Sequence, residues 1–326
     1  MNQHKRKGSK KMKIAFLDAA TLGDDLSYEA FASLGEVCIY PKTDEESFCT
    51  HIDGADVAIV NKFNLNATNL PKAKSLKLIC IAATGFDNVD IDYCRKNGIA
   101  VTNVVGYSTN CVSQLTVGMA LFLYTKLHEY TEFVRSGEYS HSGIANRLSP
   151  AYREIAGKTW GIVGFGNIGK QVGAVASALG CRVLVNKRTP IDGWNCVDFD
   201  TVCKESDILS IHVPLNDSTR GLLDQAHISM LKKDAVVINV ARGAVTDEEA
   251  LANAVENGQI GALGVDVYSA EPMPAEHPFF RIKEYPNVCL TPHMAWGGFE
   301  TRMRLLSEMA QNIHAFLDGN RRNRLD

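Results

Sequence analysis

Three short islands of the sequence hold side chains that could do chemistry. Thr291-Pro-His-Met-Ala-Trp-Gly-Gly298 carries His293, Glu271 stands directly before Pro272, and Asn239-Val-Ala-Arg-Gly243 carries Arg242. Histidine moves protons near neutral pH and can serve as acid in one direction and base in the other. A carboxylate beside it can hold one ring nitrogen and so orient the other. Arginine offers paired planar donors that match a carboxylate and can polarise a carbonyl. Each residue also has a plain structural alternative: His293 as a helix cap or core histidine, Arg242 as a surface charge, Glu271 as an exposed turn residue. The decision rests on where the chain places the three.

Each island follows an apolar, β-rich run. Six such runs, at 159–163, 182–186, 208–213, 235–240, 262–267 and 288–291, alternate with helix-like stretches and fit a doubly wound dinucleotide fold. In such sheets ligands bind beyond the carboxyl ends of the strands, where the three islands lie. Five earlier runs, at 13–18, 36–40, 56–60, 76–83 and 100–104, alternate in the same way and predict a second parallel sheet with covered faces. Residues 108–135 between the two sets read as a long, largely buried helix, and 299–317 as a closing helix too short to be a domain. The expected fold class is α/β with two Rossmann-like domains. A nucleotide domain at 106–293 is inserted into a flavodoxin-like substrate domain made of 12–105 plus 294–326, and 1–11 is a disordered basic tail.

The first strand of the second set runs into Gly164-Phe165-Gly166-Asn167-Ile168-Gly169, a GxGxxG turn that opens a helix. Gly164 permits the tight turn, Gly166 lets a pyrophosphate approach the backbone, and Gly169 allows close packing of helix on strand. An acid about 20 residues further on ordinarily holds the adenosine 2′-hydroxyl. Here the second strand ends Asn186-Lys187-Arg188. Two cations would attract a 2′-phosphate that a carboxylate would repel. NADP(H) is therefore favoured, with NAD(H) possible should the pair be solvated surface charge.

Bulk properties exclude other classes. The net charge of -3 gives no global electrostatic case for nucleic acid or an anionic membrane. No stretch offers about 18 uninterrupted apolar residues, so no membrane span is expected. The nine cysteines are odd in number and form no CxxC pair. Free thiols in a reducing cytoplasm fit best, with no disulfide frame and no metal site.

Taken in order, Thr84-Gly-Phe-Asp-Asn-Val-Asp90, the GxGxxG turn, His212-Val-Pro-Leu215, Asn239-Val-Ala-Arg-Gly243, Glu271-Pro272 and Thr291-Pro-His293 make the chain resemble the D-isomer-specific 2-hydroxyacid dehydrogenases. The resemblance covers nearly the whole chain from Met12. Asn61-Lys62, Tyr107-Ser-Thr109, Ser113-Gln114 and Ala295-Trp296 look most like the glycerate dehydrogenase (hydroxypyruvate reductase) branch. The resemblance implies hydride transfer between a nicotinamide cofactor and a small 2-keto/2-hydroxy acid, hydroxypyruvate to D-glycerate or glyoxylate. His293 would be the proton donor, Glu271 its orienting partner, and Arg242 the carboxylate clamp. It further implies cofactor contacts at Asn186, Lys187, Arg188, His212, Val213, Pro214, Thr219, Val240, Ala241, Arg242, Asp266 and His293, with Asp266 near the nicotinamide carboxamide. Substrate contacts would come from Lys62, Thr84, Gly85, Arg242, His293 and Trp296. For Lys62 a solvated lysine, and for Trp296 core packing, stand as equal readings. The family is commonly a homodimer, with helix 108–127 contributing. Two alternatives remain: a reductase of another 2-keto acid such as pyruvate, and a cofactor-sensing protein like the family's transcriptional corepressors.

Overall fold

The computed structural model describes residues 11–326, so most of the expected basic tail at 1–11 lies outside the described residues. The chain divides into two compact units. One ends at Tyr107 and resumes at Gly297–Asp326; the other is Ser108–Trp296. Residues 106, 107 and 294–296 thus fall on the opposite side of the expected boundary.

The first unit is built on five parallel strands: β1 (Lys13–Phe16), β2 (Glu36–Ile39), β3 (Val57–Val60), β4 (Leu78–Ile81) and β5 (Ala100–Thr102). Their order is β2-β1-β3-β4-β5, the flavodoxin-like winding. Every residue of β3 and β4 is buried, as strands covered on both faces must be. The helix Phe299–Leu317 packs on β4 and returns the C-terminus to this unit. There Leu325 N–H donates to Val101 O at 2.9 Å, and Arg324 pairs antiparallel with Thr102, covering the edge of β5.

The second unit holds β6 (Thr159–Val163), β7 (Arg182–Asn186), β8 (Asn195–Val197), β9 (Ile208–Ile211), β10 (Val236–Asn239), β11 (Ala262–Val265) and β12 (Val288–Leu290). All are parallel, in the order β12-β11-β10-β9-β6-β7-β8. The sheet therefore has seven strands where sequence predicts six. The extra one, β8, is a three-residue edge strand with no fully buried residue, too short for a periodic signal. The long helix also differs from expectation. It ends at Tyr124, Lys126 turns into the left-handed region at φ 52°, and a second helix runs Leu127–Arg135. Val112, Met119, Ala120 and Leu123 of the first helix pack inside this unit with Trp160, Ile238 and Ala262. Trp160 is fully buried, and its indole N–H donates to Ser210 Oγ at 3.0 Å, which meets the polar need of a buried tryptophan.

All nine cysteines are free. Burial pushes the thiols of Cys80, Cys94 and Cys203 up to about 12, which makes them inert. No helix among the described residues is long and apolar enough to cross a membrane. Nor do they hold any cluster of three or more His, Cys, Asp or Glu able to bind a metal ion.

Candidate active site

The phosphate turn is shaped by close backbone contact. Gly164 sits at φ 89°, and a Cβ there would lie 2.7–2.8 Å from Val213 Cγ1, His212 C and Val213 N. A Cβ on Gly169 would meet Gly164 O at 2.2 Å. Neither position admits a side chain. Gly166, in contrast, has nothing within 4 Å of its missing Cβ and caps the helix Asn167–Ala178 with its amide end open. Helix N–H groups facing free space form an anion cradle, so these residues fit a dinucleotide pyrophosphate. Phe165 is buried edge-on to Trp194 at 4.8 Å, so only its main chain is available to a cofactor. Ile168 offers its carbonyl to Ser113 Oγ at 3.4 Å.

Asn186 fixes the end of β7. Its carbonyl accepts Gly164 N–H at 3.0 Å and its amide donates to Val197 O at 3.1 Å. A cavity of about 480 Å³ opens beside it, lined by Asn186, Lys187, Pro190, Cys196, Val197 and Asp198. Lys187 is half-buried on this cavity and Arg188 is exposed.

Across the turn, Ser210 Oγ takes the Trp160 N–H and lies 3.0 Å from His212 Nε2. The Ser210 hydroxyl can donate to Nε2 or accept from it, according to the tautomer of the ring, and the other ring nitrogen is Nδ1. That nitrogen is buried and has no hydrogen-bond partner. Burial lowers the His212 pKa to about 3, so the ring is neutral and cannot be a phosphate counter-ion. The following loop is closed by Thr219, whose hydroxyl donates to Pro214 O at 2.6 Å and accepts Asn216 N–H at 2.9 Å.

Asn239 is buried and builds the next corner. Its side chain accepts Ala241 N–H at 3.0 Å and donates to Arg242 O at 2.9 Å, tying Val240–Arg242 into a turn. The Arg242 guanidinium donates to Ala241 O at 2.8 Å.

The remaining two islands meet. Nδ1 of His293 lies 2.6 Å from Oε2 of Glu271, with both side chains about one quarter exposed (20% and 27%). Tyr268 N–H donates to Glu271 Oε1 at 3.1 Å and fixes the other oxygen. His293 has a left-handed backbone, φ 51°. The loop around it is held by Asp266, which is fully buried. One Asp266 oxygen accepts Thr291 Oγ1–H at 2.6 Å and Met294 N–H at 2.9 Å; the other accepts Ala295 N–H at 2.9 Å. Burial raises the Asp266 pKa, and the three bonds oppose that rise. Sequence reasoning assigns Asp266 to the carboxamide and misses this grip on the His293 loop, because a pattern of residue types does not show which donors a buried carboxylate will meet. Trp296 is half-buried against the core of this unit.

The first unit has its own prearranged loops. Buried Asp18 accepts Asn61 N–H at 2.9 Å, Lys62 N–H at 2.6 Å and Phe63 N–H at 2.8 Å. Asn88 donates to the carbonyls of Asn61 and Phe63 at 3.2 and 3.1 Å. Lys62 therefore projects from a turn braced on both sides. Thr84 Oγ1–H donates to Val104 O at 2.7 Å, and Asn103 donates to Thr84 O at 2.7 Å, which sets the Thr84–Gly85 backbone. Asp18 carries no motif signal of its own, whereas Asn88 lies within the Thr84–Asp90 motif.

The family described as D-isomer specific 2-hydroxyacid dehydrogenase, NAD binding domain, matches residues 117–295. A glycerate dehydrogenase of Methylorubrum extorquens is 35% identical over 312 residues, covering 95% of this chain and 98% of the relative. Among solved structures, an acyclic imino acid reductase in complex with NADPH and D-Arg superposes with a TM-score of 0.85 at 28% identity, covering 97% of this chain and 100% of that one. D-Lactate dehydrogenase from Aquifex aeolicus, complexed with NAD and lactic acid, gives 0.84 at 28% identity over 94% and 96%. With its glycine cradle, its paired histidine and glutamate, and these likenesses, the chain belongs to the D-isomer-specific 2-hydroxyacid dehydrogenase family.

Proposed function

We propose that the protein reduces a small 2-keto acid to the D-2-hydroxy acid, with hydroxypyruvate to D-glycerate as its main reaction, glyoxylate as a second substrate, and NADP(H) as the preferred cofactor. The observation that carries the reading is the 2.6 Å contact between His293 Nδ1 and Glu271 Oε2. With Nδ1–H given to the carboxylate, the ring is oriented and Nε2 is the nitrogen left to exchange a proton with substrate.

When bound, the cofactor supplies the hydride in reduction and accepts it in oxidation. His293 delivers a proton to the substrate oxygen as negative charge develops there, and takes it back in the reverse direction. Glu271 keeps the ring in the required tautomer. Arg242 binds the substrate carboxylate through its paired donors and polarises the ketone. Lys62, Thr84, Gly85 and Trp296 are retained as substrate contacts. Gly164–Gly169, Asn186, His212–Pro214, Thr219, Val240, Ala241 and Asp266 belong to the cofactor side, with His212 as a neutral group.

The preference for NADP(H) rests on Lys187 and Arg188 standing where an acid would repel the 2′-phosphate. The branch markers and the glycerate dehydrogenase relative support hydroxypyruvate. The Aquifex structure, named for lactate, supports pyruvate as the second reading. We also propose a homodimer in the cytoplasm. Leu127, Val134, Ile144, Leu148 and Tyr152 are large apolar side chains left exposed on one stretch of the second unit, which suits a second copy of the chain. Steady-state reduction of hydroxypyruvate, glyoxylate and pyruvate, each with NADPH and NADH, tests the function. Turnover of none would leave another 2-keto acid as substrate or a corepressor-like binding role.

A further inference from the structure

The turn that carries Glu271 is gripped by a second carboxylate to which the reaction gives no part. Glu248 opens the helix Glu248–Glu256 and is only 9% exposed. Its Oε1 accepts Ser269 N–H at 2.9 Å, and its Oε2 lies 3.0 Å from His277 Nε2. His277 is buried too, and its Nδ1 accepts Phe279 N–H at 3.2 Å. With Nδ1 acting as acceptor, the ring hydrogen sits on Nε2 and points at Glu248. Each carboxylate oxygen thus has one fixed donor. A buried carboxylate is costly unless it is hydrogen-bonded, and an apolar side chain would fill the same space at lower cost.

The other end of the grip reaches the reactive pair. Ser269 follows Tyr268, whose N–H holds Glu271 Oε1, and the Tyr268 hydroxyl donates to Thr291 O at 2.9 Å, two residues before His293. The same turn presses on the residue after Arg242: a Cβ on Gly243 would lie 2.1 Å from Tyr268 C and 2.2 Å from Ser269 N.

We propose that Glu248 is a positioning residue: by holding the Tyr268–Ser269 turn it fixes the Glu271 carboxylate against His293 Nδ1. The effect on turnover rests on the reading of His293 as proton donor; the grip itself does not. A neutral amide cannot replace the carboxylate. With its oxygen toward Ser269 N–H, glutamine turns its NH2 onto His277 Nε2–H. Moving the ring hydrogen to Nδ1 then sets it against Phe279 N–H. With the amide reversed, the NH2 meets Ser269 N–H. Every arrangement leaves donor facing donor.

Two readouts test this. The first needs no substrate: the 15N–1H resonance of His293 Nδ1–H, identified by its loss in His293→Gln and displaced in Glu271→Gln. A short charge-assisted bond shifts and protects that proton. Glu248→Gln is expected to displace or broaden it, while His277→Gln, whose amide still donates to Glu248, retains it. The second is a kinetic cycle. Glu248→Gln is expected to lower kcat roughly 10- to 100-fold with cofactor Kd unchanged, and to lower it no further in the Glu271→Gln background. An unmoved resonance, or an equal loss of kcat in both backgrounds, overturns the proposal. If circular dichroism shows Glu248→Gln unfolded, His277→Ala decides by the same criteria, since it frees the carboxylate from the other side. If the wild type reduces no 2-keto acid, the reaction reading fails while the resonance still decides the grip.

Discussion

Glu271 Oε2 and His293 Nδ1 lie 2.6 Å apart although 22 positions separate them in the chain. The contact exists because they follow adjacent parallel strands, β11 and β12, and because Asp266, at the end of β11, binds Thr291, Met294 and Ala295 on either side of His293. A left-handed histidine needs such bracing. Asp266→Ala leaves two main-chain N–H groups and one hydroxyl without their acceptor. It should cost about 2–5 kcal/mol in urea unfolding and lower kcat as well. Full stability in that variant would mean that the loop holds itself.

The glycines of the phosphate turn make separable predictions. Gly169→Ala places a methyl 2.2 Å from Gly164 O and should destabilise the fold by about 1–3 kcal/mol. Gly166→Ala meets nothing within 4 Å, so its unfolding midpoint should match wild type. Its affinity for the reduced cofactor, followed by fluorescence titration, should nevertheless fall. Unchanged affinity would show that the pyrophosphate does not cross Gly166.

The proposed preference for NADP(H) makes Lys187 the residue to test. Lys187→Ala should raise KM for NADPH by about tenfold or more and leave KM for NADH nearly unchanged, because only NADPH carries the 2′-phosphate. Equal effects on both would make the lysine a bystander.

A pH effect on stability follows from His212. Its folded pKa is lowered to about 3 by burial, while an unfolded histidine titrates near 6.5. Between those values the unfolded chain binds the proton and the folded one does not. The contribution is therefore full above pH 6.5 and is lost as pH falls toward 3, by up to about 1.4 kcal/mol per unit. Urea unfolding at pH 7, 6, 5 and 4 should show a shallower fall for His212→Gln than for wild type. Parallel curves would contradict it.

Much of the fold is legible in the sequence because buried parallel strands such as Val57–Val60 and Val236–Asn239 are short apolar runs between helical stretches. The glycine turn is legible because its spacing has a steric cause, visible in the contacts of Gly164 and Gly169. Strand β8 is not, having only three residues, nor is the helix break at Lys126, since a left-handed lysine has no sequence signature. At the site, His293, Glu271 and Arg242 stand out by type and place. Asp18, Glu248 and His277 do not, since residue type shows polarity and only the fold shows burial. Glu248 and Glu249 look alike in sequence, yet one is 9% exposed and grips Ser269 N while the other pairs at the surface with Arg281.

The most direct measurement is steady-state reduction of hydroxypyruvate with NADPH near neutral pH by the wild type and by His293→Ala. Fast turnover by the wild type, reduced about 10²- to 10⁴-fold in the variant with NADPH affinity retained, is the predicted result. A variant that turns over as fast as wild type would contradict His293 as the proton donor, and with it the proposed mechanism.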